Sequence, residues 1–223
     1  MAATRLILIR HGHTAGNSSG GLRMSGWTDT SLSDRGRLQV ACLARRISSE
    51  PVSVVYASPL LRAQQTARPV ATAAGAELRL EPDLREIHCG EVDGWPVAEV
   101  QRLHPGLWKA NLRQDDEGFR WPGGESYREL RERSLEAVRR IAAAHPGERI
   151  AVVTHAGVIS QIVGCLRGNG AACWERYRPE NCSLTELDWE GETGQVVSYD
   201  DRGHLEGGFE EPGPPASTHP RGG

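Results

Sequence analysis

Three short apolar runs in this 223-residue chain end in side chains that could handle a phosphate group. Leu6-Ile-Leu-Ile9 passes straight into Arg10-His11-Gly12, Val54-Val-Tyr56 into a segment that reaches Arg62, and Ile150-Ala-Val-Val153 into Thr154-His155-Ala156-Gly157. In an open parallel sheet, ligands bind in the crevice outside the carboxyl ends of the strands, so these junctions can converge on one site. What converges is two arginines, two histidines and the backbone N–H donors of Gly12, Ala156 and Gly157. The planar guanidinium fork suits phosphate oxygens, and glycine lets the backbone approach an anion closely. Taken singly, a histidine after a strand is more often structural than reactive, and an arginine is usually a solvated charge. Their coincidence at strand ends makes a local dianion pocket the expectation.

The elements that must position these groups are readable from periodicity. The stretches 5–9, 52–56 and 149–154 are β-branched and apolar, as strands buried on both faces of a parallel sheet should be. Ser33 is a plausible N-cap for a helix carrying Leu38, Cys42, Leu43 and Ile47 at helical spacing. Pro59 suits a first helical turn after Ser58, with Gly75 as the stop. Residues 125–144 read as a long amphipathic helix, and 185–189 with 195–199 as a closing hairpin. The expected fold is a three-layer α/β/α domain over 1–206, with a mostly parallel central sheet. Over 88–125 the pattern weakens around Trp95, Trp108, Phe119 and Trp121, and a small cap insertion is expected there. Residues 207–223 are Gly/Pro-rich and read as a disordered tail.

Composition narrows the function classes. A net charge of -3, with 26 Lys+Arg against 29 Asp+Glu, gives no global field for nucleic acid or an anionic membrane. The apolar run near Met1 is too short for a signal peptide, and no stretch approaches the ~20 apolar residues of a membrane span. Five cysteines form no CxxC pair, and the gaps among Cys165, Cys173 and Cys182 match no common zinc spacing. The expectations are a cytoplasmic protein, no metal site, no cofactor, and a small phosphorylated substrate as partner. A homodimer is compatible with the sequence.

At this point the sequence resembles the histidine phosphatase superfamily, in its branch of phosphoglycerate mutases, α-ribazole phosphatases and broad-specificity phosphatases. Arg10-His-Gly-His-Thr-Ala-Gly-Asn17 is similar to the RHGxTxxN signature. Further matching blocks follow in order at 29–36, Ala57-Ser-Pro-Leu-Leu-Arg-Ala63, Leu84-Arg-Glu-Ile-His-Cys-Gly90, Gly123-Gly-Glu-Ser126 and Val153-Thr-His-Ala-Gly157. The resemblance implies that His11 is a nucleophile that becomes phosphorylated. It also implies that Arg10, Asn17, Arg62 and a cationic His155 bind the phosphate, and that Glu86 is the proton donor. Positive neighbours should lower the pKa of His11, while a bound phosphate pulls the other way. Cys89 and Val92 stand where relatives often carry aromatic residues, so a smaller pocket wall is expected. Arg23 and His88 are further candidates for substrate contact, and His13 reads as supportive.

The expected activity is metal-independent hydrolysis of a phosphomonoester. Two rivals remain: a phosphoglycerate mutase, and an inactive phosphate-binding scaffold, which would be free to lose His11 or Glu86. Against a mutase, acids in the cap window (Glu91, Asp93, Glu99, Asp115, Asp116, Glu117, Glu125) outnumber Arg102, Lys109, Arg113 and Arg120. That balance does not favour a small dianionic acid.

Overall fold

The computed structural model describes residues 2–17 and 21–206; the tail at 207–223 lies outside the described residues. Among the described residues six strands form one sheet in the order β3-β2-β4-β1-β5-β6. They are β1 (Thr4–Arg10), β2 (Val54–Ala57), β3 (Glu77–Leu80), β4 (Arg149–Thr154), β5 (Leu184–Glu190) and β6 (Thr193–Asp201). Pairings among β3, β2, β4 and β1 are parallel, whereas β5 runs antiparallel to both β1 and β6. The α/β layering and mostly parallel sheet are as expected.

The layering follows from the two-residue period of the strands. On one face, Leu6, Leu8, Ile150 and Val152 pack against α5 (Tyr127–Ala144) and α6 (Ala156–Leu166) through Leu130, Val138, Ile141, Ile159 and Ile162. On the other, Ile7, Ile9, Val55, Ala151 and Val153 meet Val40, Leu43 and Ile47 of α1 (Asp34–Ile47) and Ala63, Ala67 and Val70 of α2 (Leu61–Ala74). Each such leucine or isoleucine, fully buried, contributes roughly 1.5–3 kcal/mol.

Helix starts obey their caps. Ser33 accepts a hydrogen bond from the Gly36 N–H, as expected. The long helix begins at Tyr127, not at Glu125, because Ser126 and Glu129 form a reciprocal capping box there. Pro59 lies ahead of α2 instead of in its first turn; Leu60 is the N-cap, and a different proline, Pro69, sits inside the helix. Gly75 ends α2 in the left-handed conformation at φ 63°, a value side chains disfavour. The edge strand β3 was not expected from the sequence; it is only four residues long, Glu77-Leu-Arg-Leu80, and largely exposed, too short for its alternation to stand out.

Between β3 and α5 the chain builds α3 (Val97–Leu103) and α4 (Pro105–Arg113) around a separate small core. Val100, Phe119, Trp121 and Tyr127 are buried there against Trp95, Trp108 and Trp174. Among the described residues no helix is long and apolar enough to cross a membrane.

Candidate active site

Parallel pairing of β1 with β4 sets Arg10 opposite Thr154, so the next residues, His11 and His155, leave the sheet side by side. Their ring centroids are 5.1 Å apart. Both are buried, as are Arg10 and Arg62. The Nδ1 of His11 lies 2.8 Å from the Gly12 carbonyl oxygen. A carbonyl only accepts, so Nδ1 carries the proton and Nε2 holds the lone pair.

Arg62 enters from the first turn of α2. It donates to the carbonyls of Thr28 (3.0 Å), Ser25 (3.0 Å) and Gly26 (2.7 Å), which leaves two of its five N–H groups for a ligand. Arg10 donates to the Pro179 carbonyl at 2.6 Å. Among the described residues, the Nε atoms of Arg10 and Arg62 and the Nδ1 of His155 are buried without a protein acceptor or donor. Unpaired buried polar groups are costly, so this convergence fits an anion. Asn17 accepts at Oδ1 from the Thr14 N–H and hydroxyl, both at 3.1 Å, so its amide nitrogen is the end left to donate.

Burial, and then Arg62 and Arg10, hold the pKa of His11 well below 6.5. Burial, Arg62 and His11 do the same to His155, whose Nε2 is 2.8 Å from the Ser58 hydroxyl. The protein's own groups thus favour the neutral form of His155; the cationic form expected with phosphate bound requires the added negative charge of that ligand. Burial, aided by Arg178, lowers Arg10 to about 10.

Two backbone donors expected to meet phosphate are engaged inside the protein. The Gly12 N–H donates to the Thr66 hydroxyl at 3.0 Å. The Gly157 N–H donates to Oε2 of Glu86 at 3.1 Å, while Oε1 accepts from the Ile87 N–H at 2.9 Å. Ala156, at the first position of α6, lines the pocket and makes no such bond among the described residues. A Cβ on Gly157 would stand 2.1 Å from Oε1 of Glu86, so only glycine admits the carboxylate.

A cavity of about 200 Å³ opens over these groups, lined by Arg10, His11, Asn17, Arg23, Glu86, Ala156 and Gly157. Arg62 and His155, both buried, are not among its lining residues. His88 is not part of it: its ring packs on Trp27 with centroids 4.6 Å apart. None of the seven cap-window acids lines the cavity either. Cys89 does line it, but Trp108, Trp121, Tyr127 and Trp174 make the wall aromatic nonetheless, and Val92 is buried in the cap core. Sequence reasoning missed Asn111, Trp174, Arg178 and Asn181, whose side-chain amide donates to the His11 carbonyl at 2.9 Å. One signal was available for the last three. A strand antiparallel to β1 must begin at the carboxyl end of β1, so the loop leading into it enters the site.

Residues 6–202 match the family model described as histidine phosphatase superfamily, branch 1. The chain belongs to the histidine phosphatase superfamily. Among histidine phosphatase relatives, it is 34% identical over 203 residues to phosphoglycerate mutase-like protein 4 of Arabidopsis thaliana, covering 90% of this chain and 86% of that one. It is 37% identical over 162 residues to the metal-independent phosphoserine phosphatase of the same plant, covering 71% and 67%. The solved structure of Bacillus stearothermophilus YhfR superposes with a TM-score of 0.85 at 29% identity, over 92% of this chain and 100% of that one.

Proposed function

We propose that this histidine phosphatase hydrolyses small phosphomonoesters through a phosphorylated His11, with no metal taking part. The observation that carries the reading is the hydrogen bond from Nδ1 of His11 to the Gly12 carbonyl, which leaves the lone pair on Nε2, the nitrogen this reading makes the nucleophile. In the first step Nε2 attacks phosphorus, the bond to the leaving oxygen breaks, and Glu86 in its protonated form delivers a proton to that oxygen. Arg10, the two remaining donors of Arg62, Asn17 and the Ala156 N–H hold the other phosphate oxygens, where charge spreads in the transition state. His155 joins them by taking up a proton when the dianion arrives. In the second step Glu86, now a carboxylate, accepts a proton from water as the water displaces His11 from phosphorus. The cations supply the charge that a metal supplies in other phosphatases.

Aromatic lining from Trp108, Trp121, Tyr127 and Trp174 favours a leaving group with an apolar body. Cytoplasmic residence, a single domain over 1–206 and a homodimeric state belong to the same reading. The test is a screen of phosphomonoesters with EDTA present, followed by a quench in denaturant at alkaline pH, where phosphohistidine survives, and then by acid treatment of the trapped protein. Phosphate release together with an acid-labile phosphoenzyme, both lost in His11→Ala, is the expected result. Release without any phosphoenzyme in either the parent or Glu86→Gln would overturn the covalent route.

A further inference from the structure

We propose that Arg133 is the positioning residue for the proton donor, acting by clamping the backbone on both sides of Glu86; this rests on the role given to Glu86 above. Glu86 stands on irregular chain between two single 3₁₀ turns, Pro82–Leu84 and Gly90–Val92, so no helix or sheet ladder holds it. Arg133 reaches this segment from α5 and uses all five of its N–H groups. Nη1 donates to the carbonyls of Asp83 and Arg85, both at 2.7 Å, and Nη2 to the carbonyl of Glu86 at 2.9 Å. The remaining edge meets the Glu125 carboxylate, Nε at 2.6 Å and Nη2 at 2.7 Å.

Glu125 extends the clamp. Its Oε2 accepts from the His88 N–H at 3.3 Å, and its own N–H donates to the His88 carbonyl at 2.9 Å. The Thr154 hydroxyl takes the intervening Leu84 carbonyl at 2.7 Å, and the Trp27 indole shares that of Glu86 at 2.8 Å. The Arg133–Glu125 pair is largely shielded from water, with 17% and 14% of the side chains exposed. One ion pair thus fixes three carbonyls and one amide within six residues centred on Glu86. Only a planar five-donor group can serve three carbonyls and a carboxylate at once; lysine offers its donors from one point. Arg133 also weighs against protonation of His155, an effect of charge that lysine would keep.

The test is kcat/KM across phosphomonoesters whose leaving alcohols run from p-nitrophenol to a simple alkanol, in the parent, Glu86→Gln, Arg133→Lys, Arg133→Gln and Glu125→Gln. This constant reports events up to cleavage of the ester bond, and nitrophenolate departs without a proton whereas an alkoxide needs one. Both Arg133 variants are expected to lose about ten-fold or more activity on the alkyl ester than on the aryl ester, matching Glu86→Gln in direction. Glu125→Gln, which loosens one end of the clamp, should move the same way by less, and it serves if the Arg133 variants do not fold. Equal loss on both esters would mark a merely structural role and overturn the inference. So would full rescue by lysine, which would assign the effect to charge. If Glu86→Gln steepens the dependence and the clamp variants do not, only this inference fails; if Glu86→Gln itself does not, the reading of Glu86 falls and takes the inference with it.

Discussion

Two imidazoles kept neutral by burial and by neighbouring arginines leave a trace in stability. His11 and His155 both have folded pKa values well below 6.5. Below about pH 6.5 the unfolded chain takes up protons that the folded chain refuses, so stability falls as the pH drops from there toward the folded values; above it neither state gains. Melting temperature should therefore be level near neutrality and decline on acidification, with a shallower decline in His155→Asn. An unchanged acid slope in that variant, measured by calorimetry, would show that His155 is not held neutral. Arg62→Lys should cost about a hundred-fold or more in kcat/KM, because lysine can replace neither the three carbonyl bonds nor the two donors left for phosphate. A loss of only a few-fold would remove Arg62 from the phosphate site. His11, Arg62 and His155 were legible in the sequence because each follows a strand whose apolar run advertises it. The Gly12 and Gly157 donors were misassigned, because a free N–H and one spent on Thr66 or Glu86 look alike in a sequence.

At the scale of elements, the cap of α5 offers a clean measurement. Ser126 and Glu129 satisfy each other's backbone N–H groups, so Ser126→Ala should lower stability by about 1 kcal/mol. Chemical denaturation that shows no change would mean the helix start is held by packing alone. Elements with a continuous apolar face, such as β1, β4 and α5, could be read directly. The first residue of α5 could not, since Glu125 looks like a first-turn acid but spends its carboxylate on Arg133. β3 escaped because Glu77-Leu-Arg-Leu80 is an exposed edge held by its ladder to β2. α3 and α4 escaped because they pack on the separate aromatic cluster around Phe119, Trp121 and Tyr127 instead of on the sheet.

For the molecule as a whole, charge counted along a window proved a poor guide to charge in a pocket. Three of the cap acids are occupied elsewhere: Asp93 accepts from the N–H groups of Gly26, Trp27 and Thr28, Glu117 from that of Ala171, and Glu125 is bound to Arg133. Arg23 and Arg178, by contrast, face the cavity. The case for a hydrolase over a mutase therefore rests on the aromatic wall and on resemblance to a phosphatase relative. Given 3-phosphoglycerate with a trace of 2,3-bisphosphoglycerate, isomerisation should be slow beside phosphate release from aryl and alkyl monoesters. Fast isomerisation with negligible release would reverse the assignment. A last consequence follows from Glu86 being tethered by the N–H groups of Gly157 and Ile87. A single tethered acid cannot serve opposite sides of the phosphorus, so the alcohol departs and the water arrives along the same direction. Each displacement turns the phosphorus inside out, and two restore it. A substrate made chiral with oxygen isotopes and turned over into a simple alcohol acceptor in place of water should give a product of retained handedness.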